Sequence, residues 1–453
     1  MPQKRHVSKK RPAKKLTKAS NHFEFHKTVL PNGLRVLTER HPVSRAVSCG
    51  VWINKGTRDE VSKAEAGAAH FIEHLVFKRT KKRSAFEIAR DMEAVGGDLN
   101  AFTSRESTCY LTHSLHEHVG LSLDVLSDLV CRPKFDPHDI KKEKHVVLQE
   151  IHMAEDQLED NIFDRYFDLV YPNEPIGKPI LGTKESIAKM KRDTIIDFHS
   201  RHYRAANIVV SVTGKVDHQE VVHLVNKHLK LPEDKKAAVI LSEGPVKSDI
   251  PAKMPELKPF REAVRRPSEQ AHVLIGLPTS EFRARLRFEA YIVNTLLGGG
   301  MTSRLYQTVR EERGLVYSIY SQLVTFVDAG QMLIYAGCEP KEAPVVVELI
   351  LKEIKKLRRS GISKKELEFF KTQVKGQILL GADDIDTRMN SLAANEMVFG
   401  KYRSVDDVIA DIERVSPETV EAYIEMYVDP DRMGMLLMGA VPEAPTRKWL
   451  ESL

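Results

Sequence analysis

Gly67-Ala68-Ala69-His70-Phe71-Ile72-Glu73-His74-Leu75-Val76-Phe77 is the stretch from which the rest of this 453-residue chain is read. It has no helix breaker after Gly67 and is expected as part of a helix over about Ala64–Phe77. On a helix, His70 and His74 stand one turn apart on the same face, where both imidazoles reach one metal ion. Glu73 flanks that face, three residues from His70. It is placed to take a proton from a water at the metal without being a ligand itself. The order H-x-x-E-H inverts the commoner H-E-x-x-H arrangement of the same chemistry.

Downstream, Lys141–Ile151 falls in a second helical stretch and puts Glu143 and Glu150 two turns apart on one face. Two glutamates on a helix are by themselves the mark of a solvated face. Beside the two histidines they take on roles. Glu150 supplies a third, oxygen ligand and leaves a fourth tetrahedral position open. Glu143 accepts the other ring N–H of a ligand histidine and so fixes its tautomer.

The elements on either side follow the same logic. Phe23–Val36 alternates around Asn32-Gly33, a hairpin signal, and Val47–Ile53 reads as a strand. A helix is expected from Ser84 to about Val95, ended by Gly96-Gly97. Asn100–His113 alternates like one edge strand, and helices follow over Leu121–Val130 and from Asp139 to about Leu169. The second half repeats this order: strand Ala271–Leu277, helix Arg285–Leu297, the Gly298-Gly299-Gly300 break, helix Leu305–Glu312, strands Ser318–Thr325 and Gln331–Cys338, then helices Ala343–Leu357 and Ser363–Leu380. Strands Asn207–Val212 and Met433–Met438 close the two halves. The expected fold is therefore a duplicated α+β unit of about two hundred residues, an ordinary domain size. Residues 23–240 form the first domain and 268–453 the second. Between them Leu241–Pro267, with five prolines among charged residues, reads as a linker.

The motif Ala69-His70-Phe71-x-Glu73-His74-x-x-Phe77-Lys78, with Glu150 after 75 intervening residues, Asn100-Ala101-Phe102-Thr103 and Val147-Leu148-Gln149-Glu150-Ile151, resembles the signature of the pitrilysin/insulinase family of metallopeptidases. The short-chain branch that includes the mitochondrial processing peptidase is most similar. Arg79 departs from the family's usual glycine there. The resemblance implies two homologous α+β domains of the processing-peptidase metallohydrolase type, each a mostly antiparallel sheet with packed helices. It implies one Zn²⁺ per chain on His70, His74 and Glu150, with Glu73 as the base. It also assigns Arg310 and Tyr317, seven residues apart, to substrate and the developing oxyanion. Asn100, Ala101 and Phe102 become the edge strand on which an extended peptide is laid. The activity implied is endopeptidase action on peptides or unfolded segments inside a closed chamber. Because one half-length chain carries both sets of residues, a homodimer is expected in which Arg310 and Tyr317 of one subunit complete the metal site of the other. The alternative is a non-catalytic scaffold, or a partner subunit in a heterodimeric processing complex.

Composition sets the outer bounds. Apolar residues make up 42% and charged residues 29%, with no run long enough to span a membrane, so a soluble protein is expected. Much of the net charge of +6 sits in residues 1–22, which carry eight Lys and Arg and no acid. That segment reads as a disordered basic tail, and a nucleic-acid contact there rests on charge alone. The four cysteines, Cys49, Cys109, Cys131 and Cys338, form no C-x-x-C pair and suit a reducing, cytoplasmic setting. His113, His116 and His118, and likewise His199 and His202, lack acid–base partners and are not expected to form a site. Gly298–Gly300 lacks the G-K-[ST] ending of a phosphate loop.

Overall fold

The computed structural model describes residues 23–231 and 255–453. In the first half, β1 (Glu24–Val29), β2 (Arg35–Arg40) and β3 (Ala46–Ile53) precede α1 (Ala68–Val76) and α2 (Ala85–Glu93). β4 (Asp98–Thr103) and β5 (Thr108–Leu115) follow, then α3 (Val119–Cys131), α4 (Pro137–Asp156), α5 (Leu158–Val170), α6 (Lys184–Lys189), α7 (Arg192–His202), β6 (Ile208–Gly214) and α8 (His218–His228). The second half runs β7 (Phe260–Arg265), β8 (Ala271–Pro278), α9 (Arg287–Gly298), a π-helical turn at Tyr306–Glu311, β9 (Val316–Thr325), β10 (Gly330–Cys338), α10 (Ala343–Ser360), α11 (Lys364–Gly381), α12 (Ile385–Phe399), α13 (Val405–Glu413), α14 (Pro417–Tyr427), β11 (Gly434–Gly439) and α15 (Glu443–Glu451).

The two sheets share one topology. Their orders are β1-β2-β6-β3-β5-β4 and β7-β11-β8-β10-β9. In each, one pair is parallel (β2 with β6, β7 with β11) and the rest of the ladder is antiparallel. Strand β7 thus stands for β2, β11 for β6, β8 for β3, β10 for β5 and β9 for β4. The expected mostly antiparallel sheets of two homologous α+β domains are present.

Strands β6, β8, β10 and β11 are buried along their whole length, because each sheet is covered on both faces. One face packs on the half's own helices. The other face takes a helix from the opposite half. Ile162, Tyr166 and Phe167 of α5 pack with Leu274, Leu333 and Leu436 of the second sheet. Met389, Leu392 and Met397 of α12 pack with Leu37, Trp52 and Val209 of the first. Both crossings need a glycine in the strand beneath. A Cβ on Gly50 would lie 2.4 Å from the Met389 sulfur, and one on Gly276 would lie 2.0 Å from the Tyr166 hydroxyl. Buried charge clamps the same seam. Arg388 donates to both oxygens of Glu39 at 2.7 and 2.5 Å, with Tyr402 and His41 at 3.1 Å. Arg58 reaches Asp328 at 2.9 Å and Glu106 at 2.6 Å.

Four expectations are corrected. The single edge strand Asn100–His113 is the hairpin β4–β5, closed at Ser104–Ser107 by a serine hydroxyl that accepts backbone N–H groups. The helix expected from Asp139 to Leu169 is two helices, parted where Gln157 turns extended so that α5 can cross to the other sheet. The linker expected over residues 241–267 ends in a strand, since Phe260–Arg265 is β7. Pro259 and Pro267 flank that edge strand and are spared a ladder hydrogen bond. The helix expected over Leu305–Glu312 is the π-helical turn. The expected tail, residues 1–22, and residues 232–254, which hold the first domain's end and most of the linker, lie outside the described residues.

Burial alone would raise the Glu39 carboxyl, but Arg388, His41 and Tyr402 hold it at about 2. A carboxyl lowered on folding contributes stability that is present above its unfolded pKa and lost as pH falls below it. Glu39→Gln is therefore expected to lower stability at neutral pH by about 3–5 kcal/mol, because Arg388 is left buried without its partner. It should also flatten the acid limb of the stability curve between about pH 4.5 and 2, measured by urea unfolding across that range.

Candidate metal centre

Helix α1 starts at Gly67, whose φ of 86° is left-handed, and it has no side-chain cap of its own. Glu60 supplies one from the preceding loop. Its two oxygens accept from the Gly67 and Ala69 N–H groups at 2.9 and 3.1 Å, donors that a helix start otherwise leaves unpaired. Burial pushes the Glu60 carboxyl up to about 8, against those two bonds, which favour its charged form. Ala68, Ala69, Phe71, Ile72, Leu75 and Val76 fix the buried face of α1, so His70, Glu73 and His74 share the remaining one.

Helix α4 is set just as firmly. Asp136 caps it, Pro137 opens it, and Phe135 before them holds a φ of 48°. That left-handed backbone is kept by a buried ring against His199 and by Arg192 Nε, which donates to the Phe135 carbonyl at 2.7 Å. Its inner face is Ile140, Glu143, Val147 and Ile151, a helical stripe in which one member is a carboxylate.

These two helices bring His70, His74 and Glu150 together, with one ligand atom from each within 4.8 Å of the others. Among the described residues this is the only such group. His74 Nδ1 lies 3.3 Å from Glu143, whose other oxygen takes Lys78 at 3.0 Å. With Nδ1 donating to Glu143, the His74 ring turns Nε2 toward Glu150, 3.4 Å away. His70 Nε2 lies 3.9 Å from the same oxygen. Burial, then the charge of His74, pulls the His70 imidazole down to about 3, so the His70 ring is neutral. One nitrogen from each ring and the Glu150 oxygen thus face one point, where a bound cation would take the place of the His74 Nε2 proton. Two imidazole nitrogens and one carboxylate suit Zn²⁺. His74 itself is raised: burial opposes its charge, but Glu143, Glu150 and Glu73 outweigh it.

Glu73 stands beside this point. Thr103, the last residue of β4, donates to one of its oxygens at 2.5 Å, and burial lifts its carboxyl above the ordinary value. A carboxylate so raised is a better proton acceptor near neutral pH. β4 is the outer strand of its sheet, paired only with β5. Along it Asn100 and Phe102 are exposed and Ala101 is half-buried, with Phe102 set edge-on to Trp52. The Thr103 hydroxyl thus joins the open edge of the sheet to Glu73.

Arg310 and Tyr317 lie in the second half, on the π-helical turn and at the start of β9. The Arg310 guanidinium sits 5.1 Å from the Tyr306 ring and 5.5 Å from the Tyr317 ring. Tyr317 is 78% exposed. Among the described residues no hydrogen bond, ion pair or ring contact joins either to the group on α1 and α4. Arg79 keeps ordinary backbone and pairs with Asp139 on α4. His113 meets Asp386 of α12, and His199 is held by the Val130 carbonyl, so neither histidine cluster forms a site. Glu60 and Phe135 had no sequence signal, because their partners lie across loops.

The insulinase family description (peptidase family M16) matches residues 35–184, which hold His70, Glu73, His74, Glu143 and Glu150. The description "Peptidase M16 inactive domain" matches residues 189–374. An uncharacterized zinc protease of Mycobacterium leprae is 38% identical over 416 residues, 91% of each chain. Another, YmxG of Bacillus subtilis, is 36% identical over 389 residues, 86% of this chain and 92% of its own. In fold, the chain is similar to the crystal structure of a protease from Helicobacter pylori (TM-score 0.82, 21% identity, covering 92% of this chain and all of that one).

Glu60→Ala would leave two N–H groups in the core without acceptors, at about 1–3 kcal/mol each. Glu60→Gln keeps one acceptor and should cost less. Thermal unfolding of the two variants beside the parent checks that order.

Proposed function

The chain belongs to the insulinase (M16) family of peptidases, and from that premise we propose that it is a zinc-dependent endopeptidase, with one Zn²⁺ per chain held by His70, His74 and Glu150. The observation that carries this reading is the convergence of those three residues beside a carboxylate, Glu73, one of whose oxygens accepts from Thr103. A divalent cation held there would acidify a water and polarise a carbonyl.

The protein's own residues do the rest. An extended peptide pairs through its main chain with the open edge of β4 at Asn100, Ala101 and Phe102, which fixes its direction while tolerating varied side chains. Glu73 takes a proton from the water that attacks the carbonyl carbon and returns it to the leaving amine nitrogen. Glu143 holds the His74 ring in one tautomer. The phenol of Tyr317 and the guanidinium of Arg310 steady the charge that develops on the carbonyl oxygen. In this reading they serve the other copy: each subunit of a homodimer supplies them to its partner, and the two copies enclose the substrate. The substrates are peptides or unfolded segments small enough to enter. Among the described residues no helix is long and apolar enough to cross a membrane, and the four cysteines are unpaired, which supports placement in the cytoplasm. The second arrangement is a heterodimer in which a sister chain supplies the oxyanion pair.

With quenched-fluorescent peptides, hydrolysis should stop with chelator and return with zinc. Glu73→Gln should keep zinc yet lose turnover, whereas His74→Ala and Glu150→Ala should lose both, read by metal analysis. Tyr317→Phe should cut kcat by about 10²–10³ with zinc retained. Mixing Glu73→Gln with Tyr317→Phe subunits should restore activity. No recovery after demonstrated subunit exchange sinks the shared site, and an inert zinc-loaded parent favours the heterodimer.

A further inference from the structure

The shared topology assigns a counterpart to each part of the metal centre. α9 stands where α1 does, directly after the strand that corresponds in the two sheets (β8 to β3), and α11 stands where α4 does. β9 replaces β4, and its last residue, Thr325, pairs with Gly330 across a hairpin of the same length as the one joining Thr103 to Thr108. Among the described residues this second place holds no metal-ligating group. It holds a cavity of about 310 Å³ between α9, α11, α12 and β9.

We propose that this cavity is a binding site for a ligand with a compact apolar or aromatic body that ends in a carboxylate. The argument rests on three features of its lining. Phe288, Tyr291, Leu323, Ile378 and Phe399 give it apolar walls, at the small end of the volumes that ligand pockets occupy. Ser280 lines it while fully buried, and its hydroxyl has no partner among the described residues, which a ligand oxygen would supply. Two arginines also line it. Arg287 lies over the Phe288 and Phe399 rings at 4.6 and 5.0 Å, and Arg403 lies 5.9 Å from the Phe288 ring. Both guanidinium groups are mostly buried and share a single carboxylate, Asp411, which Arg414 also contacts. Among the described residues no other acid lies within ion-pair distance of Arg287 or Arg403, although Asp407 also feels the Arg403 charge. One contacting carboxylate, itself shared with Arg414, against two mostly buried cations leaves an anion's place beside an aromatic wall. This site is independent of hydrolysis. Its ligand is either a free small carboxylic acid or the C-terminal residue of a peptide.

The test is a calorimetric titration of the full chain carrying Glu73→Gln, so that no peptide is cut. The probes are N-acetylphenylalanine, its amide, and a pentapeptide ending in phenylalanine as acid and as amide. Saturable binding of an acid with at least about tenfold weaker binding of its amide is the expected result, because a lost charge-assisted pair is worth about that factor or more. Preference for the free acid marks a small-molecule site, and preference for the peptide acid marks a peptide terminus. Arg403→Gln should weaken acid binding by a similar factor. Ser391→Phe, which fills the cavity from α12, should abolish it with the unfolding temperature retained. No saturable binding at millimolar concentration, equal binding of acid and amide, or undiminished binding to the filled variant overturns the proposal.

Discussion

Two sheets that are apolar on both faces must each find two covers, and this molecule supplies the second cover by exchange. Helix α5 leaves the first half to lie on the second sheet, and α12 does the reverse. Everything near the metal centre follows from that constraint. Helix α4 must end at Gln157 so that α5 can turn away, and this sets the span over which Glu143 and Glu150 are presented. The buried Glu39–Arg388 and Arg58–Asp328 pairs occur where helix and hairpin cross. Buried ion pairs add little net stability over a well-packed apolar seam, but a misdocked helix would leave each charge unpaired in the core.

Within that frame the site is built from contacts of unequal strength. Glu60 fixes where α1 begins and Phe135 fixes the entry to α4, so the facing residues have little freedom. Thr103 then links the base to the sheet's open edge. A substrate strand added to β4 and the carboxylate that serves it would be positioned by the same residue, an economical way to hold the two in register.

The pairing of His70 with His74 was legible because they occupy one helix face at i and i+4, a spacing that survives without any tertiary information. Glu150 was legible only beside them. The duplication could be read from the order of strands, helices and glycine breaks, and both sheets follow it. The turn at Ser104–Ser107 escaped notice because it has no glycine or proline, and the polar run Thr103–Thr108 was passed over as part of one strand. The break at Gln157 left no mark either, since its cause is a partner sheet more than a hundred residues away. Helix α12 was not foreseen at all. Its apolar side faces the other half's sheet, so the periodicity of its own half gave no reason to expect it. Proline-rich composition hid β7 for a different reason: as an edge strand it tolerates prolines at both ends.

The crossed helices also bear on how the chain is made. α5 is complete at residue 170, but the sheet it covers is closed only when β11 ends at residue 439, 269 residues later (439 − 170). At the usual 5–20 residues per second of synthesis, the apolar side of α5 waits roughly 15–50 s for its cover. The first sheet waits as well, because α12 leaves the ribosome long after β6. The first half therefore emerges with two apolar surfaces exposed, and this nascent chain is the form of the protein with the greatest need of a chaperone.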